Sequence, residues 1–205
     1  MKHFAKSLAR LVRAVPLLAV LAPAITPLAA GTGVFLIKST VPGGPFALGA
    51  KTSGADAVIL KKADRKDITQ HWKIMQGTAG VAIENVGVGK LLIPGPPRGQ
   101  VNRGTPVLVR DTADFEGDAS DAKKATWEIL GPWNGIVSIR QKFNSSHHLD
   151  AFGDGGWKEG TTVGIWTWNN NVNQKWRLEE LSESEVMKDP SIPDLGSALK
   201  GFPGL

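Results

Sequence analysis

The chain has 205 residues, a formal net charge of +5, and neither cysteine nor tyrosine. The lack of cysteine excludes disulfides, thiolate metal ligands and a cysteine nucleophile, so the fold must rest on its core, with seven tryptophans and seven phenylalanines as the only aromatic residues besides histidine. Residues 1–30 hold four basic and no acidic residues, which leaves +1 for the rest and gives that body no electrostatic reason to seek nucleic acid or anionic lipid.

The first segment, "MKHFAKSLARLVR", carries Lys2, Lys6, Arg10 and Arg13, and the apolar run "AVPLLAVLAPAITPLAA" follows. A basic region before an apolar one is the pattern of a signal peptide. A membrane span fits less well, because Pro16, Pro23 and Pro27 each remove a backbone donor. The run is also shorter than the roughly 20 residues a bilayer requires. The expectation is a signal peptide over residues 1–30, cut after Ala22-Pro23-Ala24 or near Ala29-Ala30. A secreted mature chain without membrane insertion would result. A mitochondrial targeting segment is the rival.

Residues 31–181 read as one domain, long enough to bury a core. Apolar runs such as "GVFLIKS", "AVILKKA", "GVAIENV", "TPVLVRD", "GIVSIRQ" and "TTVGIWTW" alternate with turn residues. They predict eleven or twelve short strands, and no helical period interrupts them between residues 34 and 181. Three segments share one plan: strand, Gly-rich turn, apolar strand, polar loop, then Trp and an aliphatic residue. The closing pieces are "QHWKI", "ATWEI" and "QKWRL". Trp72, Trp127 and Trp176 are spaced by 55 and 49 residues. Three four-stranded units of about 50 residues predict a pseudo-threefold barrel, since one unit cannot cover its own apolar face. The three tryptophans, with Ile74, Ile129 and Leu178, are expected in the core. Residues 182–205, rich in Pro and Gly, are expected to be an irregular tail.

The third unit, "HHLDAFGDGGWKEGTTVGIWTWNNNVNQKWRL", resembles the ricin B-type lectin family, the β-trefoil domains with Gln-x-Trp repeats. The run of Leu-Asp, Gly-rich turn, Val-x-Ile-Trp, polar loop and Asn-Gln-x-Trp carries the resemblance. Its detailed part covers residues 148–178, and the repeat architecture covers roughly 33–181. The resemblance implies an all-β β-trefoil and a carbohydrate partner, galactose-type or related, bound in a shallow pocket. Residue by residue, it implies Asp150 as acceptor of sugar hydroxyls and Trp166 as the stacking aromatic. Asn173 and Asn169 become polar contacts, and Gln174 helps fix the loop. The chemistry is sound on its own terms. A pyranose offers an apolar face to an indole and a rim of hydroxyls to amides and a carboxylate.

The other two units depart from the pattern. The first has Leu48 or Gly49 at the Asp position and no aromatic in "AVILKK". The second has Ile93 or Pro94, then Val109 or Arg110, and its Gln-x-Trp has become Ala125-Thr126-Trp127. At most one site is expected, in the third unit.

Structural alternatives stand beside each of these residues. Trp166 and Trp168 share a face and could form a core pair. Asp150 could cap the turn before Gly153, and the asparagines are good turn formers in their own right. His147-His148 lacks further metal ligands at useful spacing. "DFEGDASD" lacks a calcium-loop pattern, and Gly87-Val88-Gly89-Lys90 is not a phosphate loop. Asn144-Ser145-Ser146 is a glycosylation sequon. Asp150 and Asp154 could be proposed as a hydrolytic pair, on proximity alone. No catalytic residue, cofactor or metal is expected, and the oligomeric state is open. The alternative function is a protein-binding β-trefoil such as a protease inhibitor, acting through "IPGPPRGQVNRG" or "DTADFEGDASDAKKA". A carbohydrate-binding part of a larger enzyme system is the other rival.

Overall fold

The computed structural model describes residues 33–52, 56–95, 100–115 and 123–186. The expected leader, most of the tail and most of the acidic run after Asp114 lie outside the described residues. Twelve strands lie among the described residues: β1 (Gly33–Ser39), β2 (Phe46–Ala50), β3 (Val58–Lys62), β4 (His71–Gly77), β5 (Gly80–Asn85), β6 (Lys90–Pro94), β7 (Val107–Arg110), β8 (Trp127–Leu130), β9 (Ile136–Gln141), β10 (His147–Ala151), β11 (Val163–Thr167) and β12 (Trp176–Glu180).

Each unit gives its first and fourth strands to a barrel. The antiparallel pairs β1–β4, β4–β5, β5–β8, β8–β9, β9–β12 and β12–β1 close a six-stranded ring. Closure leaves these strands without a free edge. The second and third strands of each unit form a hairpin: β2–β3, β6–β7 and β10–β11. Bridges Ala57↔Leu108, Ile59↔Thr162 and Pro106↔Gly164 join the hairpins pairwise into a triangular cap. The fold is the β-trefoil that the repeats predict.

The core explains the closing tryptophans. Trp72, Trp127 and Trp176 are fully buried. A buried indole N–H needs an acceptor. Trp72 donates to the Leu48 carbonyl at 2.9 Å, Trp127 to Leu92 at 2.9 Å and Trp176 to Leu149 at 3.1 Å. Each bond ties a barrel strand to the hairpin of its own unit. Because the three are equivalent, they also fix the alignment of the units.

One expectation changes at the C-terminal side. Residues Glu183–Val186 form a single helical turn rather than irregular chain. Ser182 and Glu185 close this turn: the Ser182 amide and hydroxyl donate to the Glu185 carboxylate at 2.8 and 2.7 Å, and the Glu185 amide donates to the Ser182 carbonyl at 2.9 Å. Arg65 holds the turn against the barrel through Glu185 and Glu179.

Candidate functional site on the third hairpin

Strand alternation builds the site. Leu149, Ala151, Val163 and Ile165 point into the core, so His148, Asp150, Gly164 and Trp166 share the opposite face. Across the hairpin Trp166 faces His148, and Gly164 faces Asp150. Gly164 is required here, because the Phe152 ring occupies the space a Cβ would take. The same ring meets Trp166 edge-on at 6.2 Å. Trp168 lies against the His148 imidazole at 4.5 Å. Trp166 and Trp168 are 37% and 41% exposed, so they are not a core pair.

Asp150 is buried, at 3% exposure. One carboxylate oxygen accepts from the Asn173 amide at 2.8 Å; the other is buried without a partner. Burial pushes the carboxyl up to about 6, against the nearby side-chain amides of Gln174 and Asn173, which favour the charged form. His148 shifts the other way. Burial, then the charges of Arg140 and His147, brings it down to about 4, so it packs on Trp168 as a neutral ring at pH 7.

The loop after β11 is held by Gln174, which is fully buried. Its amide donates to the Thr167 carbonyl at 3.0 Å and the Trp166 carbonyl at 3.4 Å, while its oxygen accepts from the Asn169 amide at 2.9 Å. Gln174 thus spends its polar atoms on the backbone. The Asn169 side chain accepts from the Asn171 amide at 2.9 Å, and Asn170 takes φ 60°, a left-handed conformation that asparagine tolerates. Asn173 rides on the 3-10 turn Val172–Gln174, which carries it back to Asp150. The structure therefore joins the five sequence-derived residues in one constellation. Asp150 meets Asn173 directly, and Gln174 ties together the segments bearing Trp166 and Asn169.

Sequence reasoning missed Arg103. Its guanidinium lies over the Trp166 ring, 4.8 Å from the centroid. It comes from the second unit, in the turn Asn102-Arg103-Gly104-Thr105, where the Thr105 amide donates to the Asn102 carbonyl at 3.0 Å. Gly104, at φ +87°, and Thr105 then pair with Ile165 of β11 through two backbone bonds of 2.9 Å. The third unit repeats this turn as Lys158-Glu159-Gly160-Thr161, which leans on Leu60 of the first. Aligning "NRGT" with "KEGT" would have revealed the shared turn.

The indole bonds place Gly49 and Ile93 at the position of Asp150. The hairpin registers then place Lys61 and Arg110 at that of Trp166. In the first unit the Lys61 chain runs across the space beside Gly49, and its ammonium meets Thr69 at 2.7 Å and Asp67 at 2.5 Å. In the second, Ile93 packs in an apolar cluster with Met75, Ala82, Leu91 and Ala125, and Arg110 pairs with Asp56 at 2.8 Å. Among the described residues no group of three His, Asp or Glu side chains could hold a metal ion, and no helix is long and apolar enough to cross a membrane.

No family model matches the chain. Ricin B-like lectin R40G3 of Oryza sativa subsp. japonica is 27% identical over 144 residues, covering 63% of this chain and 67% of its own length. Ricin B-like lectin EULS3 of Arabidopsis thaliana is 30% identical over 136 residues, covering 59% of this chain but only 40% of its own. Among solved structures, the Macrolepiota procera ricin B-like lectin in complex with lactose superposes with a TM-score of 0.59 at 16% identity, over 74% of this chain and 98% of the lectin. Its likeness is one of fold. The chain is thus similar in sequence to plant ricin B-like lectins, and its fold is the β-trefoil.

Proposed function

We propose that the chain is a carbohydrate-binding lectin with one sugar site, on the outer face of the β10–β11 hairpin. The observation that carries this reading is the Asp150–Asn173 pair. A carboxylate is aimed by an amide and left with one unsatisfied oxygen, at the position where the other two units have Gly49 and Ile93. A sugar hydroxyl is a donor of the right size for that oxygen. In this reading Asp150 accepts from hydroxyls of the ring, Asn173 orients the carboxylate and offers its own oxygen, and Trp166 stacks on the apolar sugar face. Asn169 adds a rim contact, and Gln174 holds the loop. Recognition involves no bond making. Lactose in the Macrolepiota procera lectin supports a galactose-type ligand. A single open site of this kind binds weakly, because the rim hydroxyls stay wet.

The test is a glycan array with the chain, Asp150→Ala and Trp166→Ala. Binding to galactose-type glycans that both variants lose supports the reading. A folded protein that binds no glycan would assign the trefoil to a protein partner instead. Export is part of the same proposal. N-terminal sequencing of the secreted product should begin after Ala24 or near Ala30.

A further inference from the structure

We propose that the Trp166 site is specific for acidic galacto-configured sugars, those carrying a carboxylate or sulfate, and that Arg103 is the group that selects them. The inference rests on the carbohydrate reading above and names the class of ligand.

Three observations carry it. First, Arg103 is placed rather than free to wander. Its turn is closed by the Thr105 amide on Asn102, the Asn102 amide on the Thr105 hydroxyl at 3.0 Å, and two backbone bonds to Ile165. Such pre-organisation lowers the entropy lost when a ligand binds. Second, its charge is unspent. Among the described residues no carboxylate forms an ion pair with Arg103; its partner is the Trp166 ring. The comparable cations are neutralised within the protein: Lys61 by Asp67, Arg110 by Asp56 and Arg140 by Glu128. Asp150, the acid of this face, is buried and held by Asn173. Third, Arg103 lies over the Trp166 ring itself, so a sugar that contacts this indole also meets the guanidinium. A planar fork of donors matches a carboxylate or sulfate better than it matches hydroxyls. The Arg103 charge also reaches His147, whose pKa falls through burial and then through that charge. The positive potential at this edge therefore extends beyond the indole.

The experiment is titration calorimetry of the full chain with galactose and with galacturonic acid, which differ by one carboxylate. The expected result is tighter binding of the acid by about fivefold to tenfold at moderate salt, a ratio that shrinks as salt rises. Arg103→Gln should bring the ratio to about one, and Arg103→Lys should keep part of it. Asp150→Ala should remove both sugars. Equal affinities in the unaltered chain, or a ratio unchanged in Arg103→Gln, would overturn this inference and leave the lectin reading intact. Failure of both sugars to bind a folded chain would overturn both.

Discussion

The first and third units have the same backbone and opposite surfaces. Both close on Gln-x-Trp, with Gln70 and Gln174 buried and bonded to equivalent carbonyls of the preceding strand, Lys62 and Thr167. Both contain an acid beside this loop, Asp67 at the start of the 3-10 turn Ile68–Gln70 and Asp150 on β10. In the first unit Asp67 receives Lys61, Thr69 and Gln70. Burial pushes its carboxyl up, but those bonds outweigh it and hold it down at about 2. In the third unit Asp150 has one amide on one oxygen and nothing on the other, and burial prevails. The first unit fills the space with its own cation, and the third leaves an acceptor unsatisfied. The difference lies in a few side chains, Gly49 and Lys61 against Asp150 and Trp166, on a frame that does not change.

That frame sets the strongest prediction. If the units share one core, Trp72→Ala and Trp176→Ala should destabilise the protein equally, by about 3 to 5 kcal/mol each, through cavity formation and an orphaned carbonyl. Urea denaturation with matched slopes checks this. A mild effect for one of the pair would show that the units are not equivalent. The surfaces should behave differently. Asp150→Asn should stabilise the sugar-free protein at pH 8 by about 2 kcal/mol, because it removes a buried carboxylate with an unsatisfied oxygen. The sign follows from the raised pKa. Asp150 favours folding most below pH 4, and that contribution disappears as pH rises through about 6. The variant should therefore lose the fall in stability between pH 4 and pH 6. His148 titrates near 4 on the same face and acts in the opposite sense, so the comparison with the unaltered chain isolates Asp150. Sugar affinity should also weaken below pH 6, where the carboxylate gains a proton.

Much of this was legible in the sequence. Trp72, Trp127 and Trp176 at nearly even spacing announced three units, because a buried indole recurs only where the frame recurs. The one full motif marked the third unit. The alignment of the weaker units was not legible. Leu48 or Gly49, Ile93 or Pro94, and Val109 or Arg110 were equally good by eye. Only the carbonyl that each indole chooses fixes the register, giving Gly49, Ile93 and Arg110. Arg103 was hidden for another reason. It belongs to the second unit in sequence and to the third in space, through the Pro106↔Gly164 bridge. Side chains that cross between repeats leave no periodic trace.

A smaller substitution tests whether the first unit is truly filled. Gly49→Ala would place a methyl group on the Lys61 methylenes. Lys61 must shift and loosen its contact with Asp67, at an expected cost of about 1 kcal/mol. Ala at Asp150 creates space in the third unit, so the same side chain at equivalent positions should overpack one pocket and empty the other. Thermal melts of Gly49→Ala, Lys61→Ala and the double variant check the coupling. The double variant should cost less than the sum of the two.

The smallest expected effect comes from Asp67. Its pKa is lowered, so its contribution to stability is complete above the ordinary carboxylate value and disappears as pH falls through about 2. Asp67 and Lys61 are each about one quarter exposed, at 25% and 23%, so solvent screening reduces the gain to under about 1 kcal/mol. Asp67→Asn should therefore cost little at pH 7 and nothing once pH is well below 2. The two curves should converge as pH falls from 4 through 2, below the range in which Asp150→Asn departs from the unaltered chain. Equivalent hairpins would then show opposite responses to acid. If Asp67→Asn instead changed stability only between pH 4 and pH 6, the first unit would hold an unsatisfied carboxylate like the third, and the contrast between filled and open sites would fail.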